Sequence, residues 1–121
     1  MVLVAVDDLL FSSKIRATAK QAGVELAFAR SPGEILERAR ELKPRLAIFD
    51  LNSAKTDPIA TITAMKADAA LAGIRAVGFV SHVDAATIAA AREAGADSVM
   101  ARSAFAAQLA EVLLAGGSGS S

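Results

Sequence analysis

The sequence predicts one α/β domain in which helices cover both faces of a parallel five-stranded sheet. Short apolar runs of strand length alternate five times with segments whose apolar residues recur at helical spacing. The first run, Val2 to Val6, is apolar throughout, which is typical of a strand buried on both faces. Strands that alternate with helices form parallel sheets with right-handed crossovers, so we predict a doubly wound (βα)5 fold.

Composition and charge exclude several classes of function. The 13 basic and 13 acidic side chains cancel, so bulk electrostatics does not favour binding to nucleic acid or to an anionic membrane. The chain has no Cys, which excludes disulfides, thiolate metal sites and cysteine nucleophiles. Its single His excludes a metal site with several histidine ligands. Its apolar runs are shorter than the roughly 18 residues that span a bilayer. No basic segment precedes the first run, so we expect a cytoplasmic domain without a secretory signal.

Local signals set the bounds of the first elements. Apolar residues recur at helical spacing from about Ser12 to Ala22, and Gly23 stands where a helix is expected to end. Residues 24–29 form a weaker second strand. The segment Ser31-Pro32-Gly33-Glu34 supplies an N-cap, a Pro at the first helical position and a Glu three residues after the cap. This capping box predicts the start of the second helix.

The third strand and the third helix follow a clear stop signal. Lys43-Pro44 ends the second helix, because Pro cannot continue it. Leu46 to Phe49 is then a continuous apolar run that ends at Asp50. Asp57-Pro58 begins a third helix, which we expect to run toward Gly73.

The fourth strand, the helix after it and the fifth strand are short segments of the sequence. Ala76 to Val80 is the fourth strand, and Asp84 caps an Ala-rich helix that ends at Gly95. That helix either packs closely on the sheet or offers a flat surface to a partner. Ser98 to Met100 is the fifth strand.

The chain ends with a helix and a polar tail. Ser103 is the predicted N-cap of the last helix, which we expect to run to about Leu114. We therefore divide the chain into a domain, residues 1–115, and a flexible Gly/Ser tail, residues 116–121.

Polar side chains follow the strands at the rim where open α/β sheets bind ligands. These residues are Asp7, Asp8, Asp50, Ser81, His82, Arg102 and Ser103. Three carboxylates at one rim repel one another and raise one another's pKa, and a hard cation such as Mg²⁺ relieves that repulsion. The alternative is structural: the Asp and Ser side chains cap helices and turns, Arg102 forms a surface ion pair, and His82 is a surface residue.

Three segments of the chain are similar to the receiver domains of bacterial two-component response regulators. Val2 to Asp8 resembles the receiver's first strand with its acidic pair, and residues 44–52 resemble the strand that carries the phosphoryl-accepting aspartate. Ala94-Gly95-Ala96-Asp97 resembles the segment before the fifth strand. The resemblance extends over residues 2 to about 114 and implies a flavodoxin-like three-layer sandwich.

The resemblance implies a chemistry for this rim. Asp50 would accept the phosphoryl group, and Asp8 and Asp50 would hold Mg²⁺, with Asp7 acting through water. The backbone carbonyl of Asn52 would complete the metal site, and the Ser81 hydroxyl would bond the phosphoryl group. The implied partners are a histidine kinase or phosphotransfer protein and a downstream protein that binds the face of the fourth helix, fifth strand and fifth helix. The implied chemistry is not that of an enzyme, beyond self-phosphorylation and slow self-dephosphorylation.

The sequence departs from the family pattern around this site. Arg102 stands where Lys is usual and keeps the positive charge that would pair with the phosphoryl oxygens, but a planar guanidinium does not replace a compact ammonium. Ser103 stands where Pro follows a cis peptide, and a cis bond before a non-proline residue costs about 2.5–4 kcal/mol. We therefore expect a trans bond and a re-routed loop, which could displace Arg102. Val99 stands at the aromatic switch position, Ser53-Ala54 replaces Met-Pro, and His82 adds bulk.

These departures leave two functions open. One is a receiver that is phosphorylated on Asp50 and signals through altered protein contacts. The other is a receiver-like interaction module that acts without phosphorylation.

Overall fold

The computed structural model describes residues 1–82 and 84–118, and it confirms the predicted α/β architecture. Its strands are β1 (Val2–Ala5), β2 (Leu26–Phe28), β3 (Leu46–Asp50), β4 (Arg75–Val80) and β5 (Ser98–Ala101). Its helices are α1 (Leu9–Ala22), α2 (Pro32–Leu42), α3 (Pro58–Ala67), α4 (Ala85–Ala94), α5 (Arg102–Ala107) and α6 (Leu109–Ser118). The strands form one parallel sheet in the order β2-β1-β3-β4-β5. The strand order reverses between β1 and β3, where such sheets bind ligands.

Side chains that alternate along the central strands supply a separate core on each face of the sheet. One core contains Leu3, Ala47 and Phe49 of the sheet and is covered by buried residues of α2, α3 and α4. The other contains Phe79 of the sheet and is covered by buried residues of α1, α5 and α6. The continuous apolar runs in the sequence reflect this burial on both faces. Within the described residues, none of the helices has the length and apolar composition that spanning a membrane requires.

Helix α1 begins earlier than the sequence predicted, at Leu9 rather than at about Ser12. The reason is the side chain of Asp8, which is the N-cap of this helix. Its Oδ1 accepts hydrogen bonds from the N–H groups of Leu10 at 2.9 Å and of Phe11 at 3.2 Å. The interpretation of Asp8 as a helix cap is therefore confirmed, and it applies to a residue that is also a predicted metal ligand.

The second strand is shorter than the predicted residues 24–29. The N–H of Val24 donates to the carbonyl oxygen of Ala19 at 2.9 Å and so belongs to the end of α1. The N-cap of α2 is confirmed, because the Ser31 hydroxyl accepts the N–H of Glu34 at 3.2 Å.

Helix α3 ends at Ala67 and does not run toward Gly73 as predicted. Asp68 ends it, because this residue has an extended backbone and its side chain offers an alternative to helical hydrogen bonds. Its Oδ1 accepts the N–H of Ala70 at 2.9 Å, and its Oδ2 accepts a hydrogen bond from Arg40 at 3.1 Å. The predicted caps of α4 are confirmed.

The last helix differs from the prediction at both ends. The prediction that Ser103 is its N-cap is wrong: α5 begins at Arg102, two residues before the predicted start, and the cap residue Ala101 forms no side-chain hydrogen bond. The helix is interrupted at Gln108, whose N–H is shared between two carbonyl oxygens, and α6 then continues the chain. Residues 116–118 of the predicted tail belong to α6, and residues 119–121 lie outside the described residues.

Candidate functional site

The carboxyl ends of β1 and β3 bring the three predicted carboxylates to one rim. Asp7 and Asp8 follow β1, and Asp50 is the last residue of the adjacent strand β3. Together with Asn52 they line one open depression of about 390 Å³, whose other lining residues belong to the segment 53–55. The structure thus places the four predicted metal-site residues around the same depression.

Asp50 is the most buried carboxylate of this group, with 9% of the residue exposed. Its Oδ1 accepts the N–H of Asn52 at 3.0 Å, which fixes the orientation of the carboxylate. Burial raises the pKa of Asp50, and the charges of Asp8 and Asp7 act in the same direction. The Asn52 hydrogen bond and the positive charge of Arg102 lower that pKa and do not reverse the shift. Additional positive charge at the site would therefore stabilise the ionised form of Asp50.

We expect Asp50→Asn to raise the urea midpoint of unfolding at pH 7. Because the pKa of Asp50 is higher in the folded chain than its usual value of 3.8, its ionisation lowers stability as pH rises through the folded pKa. This loss of stability is absent at pH values below the usual pKa of Asp50 and complete at pH values above its folded pKa. The gain from the substitution should therefore shrink as pH falls toward 4, and urea titrations followed by circular dichroism at several pH values measure it.

Asparagine keeps an oxygen that can accept the Asn52 N–H, so the substitution removes charge with little change of shape. Glu41→Gln is the matched control, because it removes one negative charge from an exposed position of α2. If Asp50→Asn did not raise the urea midpoint at pH 7, or raised it equally at every pH, the raised pKa of Asp50 would not be the cause.

Asp8 is engaged through both of its carboxylate oxygens. While Oδ1 caps α1, Oδ2 accepts a hydrogen bond from Nη2 of Arg102 at 2.9 Å. The hydrogen bond from the Phe11 N–H lowers the pKa of Asp8, and the hydrogen bond from Arg102 lowers it further. Arg102 therefore forms an ion pair, as the structural alternative proposed, but its partner is a predicted metal ligand.

The expected trans peptide bond before Ser103 is confirmed, since no peptide bond in the described part of the chain is cis. Arg102 is the first residue of α5, and its guanidinium lies 4.4 Å from the centroid of the Phe11 ring. This position over Phe11 and beside Asp8 could not be predicted from the sequence.

The site also contains a cation that the sequence analysis did not identify. Nζ of Lys55 lies 3.7 Å from Oδ2 of Asp7, in the loop between β3 and α3. Because 74% of the Lys55 side chain is exposed, water screens this pair and its contribution to stability is small. Only the position of Lys55 shortly after the predicted phosphoacceptor could have drawn attention to it.

Asn52 connects the loops that follow β3 and β4. Its side-chain Oδ1 accepts the N–H of Ser81 at 2.7 Å, a contact that the sequence did not predict. Ser81 is exposed, and with Arg102 it lines a neighbouring depression of about 580 Å³ rather than the one that contains Asp50. His82 is exposed as well. The structure therefore divides the predicted site residues between two adjacent depressions.

The oxygen donors of the Asp50 depression suit a hard divalent cation. Carboxylates and a backbone carbonyl are the ligands that Mg²⁺ prefers. The buried hydroxyl of Ser53 lines the same depression and has no hydrogen-bond partner among the described residues. However, no three acidic or histidine side chains of those residues are grouped so that they could hold a metal ion. The donor types fit Mg²⁺, and Arg102 occupies one carboxylate oxygen of Asp8.

Comparisons with known proteins identify the fold. No protein-family model and no curated protein matches the sequence. A response regulator from Hahella chejuensis is 20% identical, with a TM-score of 0.84 over 94% of this chain and 92% of that chain. The Mn²⁺-bound response regulator Rcp1 is 16% identical, with a TM-score of 0.78 and coverage of 93% and 91%. The phosphorylated cyanobacterial phytochrome response regulator RcpA is 18% identical, with a TM-score of 0.79 and coverage of 99% and 95%. The chain has the fold of response-regulator receiver domains, as the resemblance implied.

Proposed function

We propose that the chain acts as a receiver domain that accepts a phosphoryl group on Asp50. One observation carries the proposal: a buried carboxylate with a raised pKa ends β3 and shares one depression with Asp7 and Asp8. The fold supports the same function. The donor would be the phosphohistidine of a histidine kinase or of a phosphotransfer protein.

In the proposed reaction, a carboxylate oxygen of Asp50 attacks the phosphorus of the donor. An O–P bond forms while the P–N bond of the phosphohistidine breaks. The imidazole nitrogen keeps the bonding electron pair, and the ring returns to its neutral form after proton exchange with solvent. Later attack by water on the phosphorus releases inorganic phosphate and restores the carboxylate.

The residues around Asp50 have separate roles in this proposal. The Asn52 N–H orients the attacking carboxylate, and Asp8, Asp7, Asp50 and the backbone carbonyl of Asn52 would hold Mg²⁺. The cation supplies positive charge that offsets the negative charges of the donor and the carboxylate. Rcp1 holds Mn²⁺ and RcpA is phosphorylated, which supports divalent-cation binding and phosphorylation as the chemistry of this fold. The Ser81 hydroxyl would bond the transferred group.

The proposed output is a changed protein contact at the face formed by α4, β5 and α5. Phosphorylation adds negative charge at the rim and so shifts the equilibrium between two conformations of that face. Ala85, Ala86 and Ala89 are exposed on α4, and small side chains there give a flat surface. Val99 packs against the core from β5 and cannot rotate as an aromatic ring does.

A specific observation favours the second function, an interaction module without phosphorylation. In this structure Arg102 bonds to Asp8, so a predicted metal ligand is neutralised by the chain itself. If that pair were permanent, Asp50 would lack the charge compensation that phosphoryl transfer requires.

The two functions are separated by intact mass spectrometry after incubation with Mg²⁺ and acetyl phosphate. We expect one phosphoryl adduct on the wild type, no adduct on Asp50→Asn, and loss of the adduct with hydroxylamine, which cleaves acyl phosphates. Asp84→Asn is the matched control, since Asn also caps helices, and it should keep the adduct. A wild type without an adduct, or an adduct that persists in Asp50→Asn, would contradict phosphorylation of Asp50.

A further inference from the structure

Arg102, at the start of α5, is held in place by contacts with two side chains, those of Asp8 and Phe11. Its Nη2 donates to Oδ2 of Asp8 at 2.9 Å, a charge-assisted hydrogen bond. Its guanidinium lies over the Phe11 ring of α1 at 4.4 Å from the centroid, within the range of cation–π attraction. Its backbone begins α5. These contacts define one position for a side chain that would otherwise be free to move in solvent.

The ring under Arg102 is itself fixed by the core. The centroid of Phe11 lies 5.1 Å from that of Phe79 and 5.8 Å from that of Phe105. Phe79 is a residue of β4, and Phe105 lies on α5, one turn after Arg102. The guanidinium thus rests on a packed aromatic cluster and not on a mobile loop.

Asp8 cannot bind Arg102 and a divalent cation in the same way at the same time. Its Oδ1 is committed to the N-terminus of α1, and its Oδ2 is the atom that Arg102 contacts. A cation bound at Oδ2 would compete with the guanidinium, since two positive groups repel each other at one oxygen.

We propose that Arg102 competes with a divalent cation for Asp8 and thereby sets the cation affinity of the site. The inference rests on the proposed function, because it concerns the metal ligands of the same depression. Without the cation, Arg102 neutralises Asp8 and occupies its Oδ2. With the cation bound, the guanidinium is released toward the neighbouring depression that it lines with Ser81.

The competition connects the site to α5. Arg102 is the first residue of this helix, and the cap residue Ala101 contributes no side-chain hydrogen bond. The contacts of Arg102 with Asp8 and Phe11 therefore connect the start of α5 to the rim. Cation binding at Asp8 would free this end of the helix, at a face where the usual aromatic switch position is occupied by Val99.

Binding of Mn²⁺, followed through the electron paramagnetic resonance signal of the free ion, tests this proposal. We expect Arg102→Gln to bind Mn²⁺ about tenfold more tightly than the wild type, because the variant no longer has to release a charge-assisted hydrogen bond. Arg16→Gln is the matched control. Arg16 of α1 also lies over an aromatic ring, that of Phe28 at 4.6 Å, but it lines a different depression, without the site residues. Its loss should therefore leave Mn²⁺ affinity unchanged.

The possible outcomes separate the competition from the proposed function. Equal or weaker binding by Arg102→Gln, with binding abolished in Asp8→Asn, would overturn the competition and leave the metal site intact. Absence of Mn²⁺ binding in both the wild type and Arg102→Gln would overturn the competition and also the metal site. If Arg16→Gln bound Mn²⁺ as tightly as Arg102→Gln, the change in net charge would explain the effect, and the competition would be overturned.

A measurement on the wild type guards against a folding defect in the variant. The side-chain N–H signals of Arg102 in ¹H–¹⁵N spectra report its hydrogen bond to Asp8. We expect Mg²⁺ to move them to the positions of a solvated guanidinium, while those of Arg16 stay in place. Arg102 signals that remain hydrogen-bonded at saturating Mg²⁺ would overturn the proposal.

Discussion

Replacing Phe79 by Ala is expected to lower the free energy of unfolding by about 3–5 kcal/mol. Phe79 lies fully buried in β4. Its ring stacks on Phe105 with the centroids 4.9 Å apart and meets Phe11 edge to face at 5.1 Å. The substitution removes a large apolar surface and leaves a cavity between the sheet, α1 and α5. Because domains are stable by about 5–15 kcal/mol in total, the variant should be close to its folding limit.

Urea unfolding followed by far-UV circular dichroism measures this loss, since the chain has no Trp or Tyr for fluorescence. Phe28→Ala is the matched control. Phe28 lies on the edge strand β2 and is only partly buried, so its replacement should cost clearly less. Equal losses in the two variants would contradict the central role assigned to the aromatic cluster.

The fold could be predicted from the sequence because its signals are local. Each buried strand is a short apolar run, and the caps of α4, Asp84 and Gly95, lie within a few residues of the helix that they bound. The predicted helix bounds were wrong where a side chain replaced a helical hydrogen bond. Asp8 did so at the start of α1 and Asp68 at the end of α3. Such side chains occur at many positions that do not bound helices, so residue type alone does not locate the boundary.

The candidate site could be predicted only in part. The position of Asp7, Asp8 and Asp50 at one rim follows from the topology of a parallel sheet. The partner of Arg102 does not, because Asp8 lies 94 residues away in sequence. The absence of Pro after Arg102 predicted the trans peptide bond, whereas the position of the side chain depends on Phe11 and on the start of α5. Long-range contacts of single side chains leave no periodic pattern in a sequence.

Neighbouring residues of β4 face opposite cores and have opposite requirements. Phe79 fills the layer under α1 and α5, whereas Gly78 faces the layer that contains Leu51. In β4, a large side chain on one face therefore stands next to a glycine whose neighbour on the other face leaves no room for a side chain. The glycine makes room for the residue directly after Asp50, and so links core packing to the position of the candidate phosphoacceptor.

We therefore expect Gly78→Ala to destabilise the fold by about 1–3 kcal/mol and to disturb the site. An added Cβ would lie 2.7 Å from Cδ1, 2.9 Å from Cδ2 and 2.9 Å from Cγ of Leu51. Leu51 is buried, and its N–H donates to the carbonyl oxygen of Phe79 at 3.0 Å. The Leu51 side chain must move while the hydrogen bond to Phe79 holds its backbone. Because Leu51 lies between Asp50 and Asn52, this movement should disturb the geometry of both neighbours.

Urea unfolding gives the loss of stability, and the backbone amide signal of Asn52 reports the site, since this N–H donates to Oδ1 of Asp50 at 3.0 Å. Gly33→Ala is the matched control, because nothing lies within 4 Å of a Cβ added there and the position is helical. Alanine favours helix over glycine, so the control should be neutral or up to about 1 kcal/mol more stable. If Gly78→Ala were as stable as Gly33→Ala and left the Asn52 signal in place, the packing of Leu51 would not position Asp50.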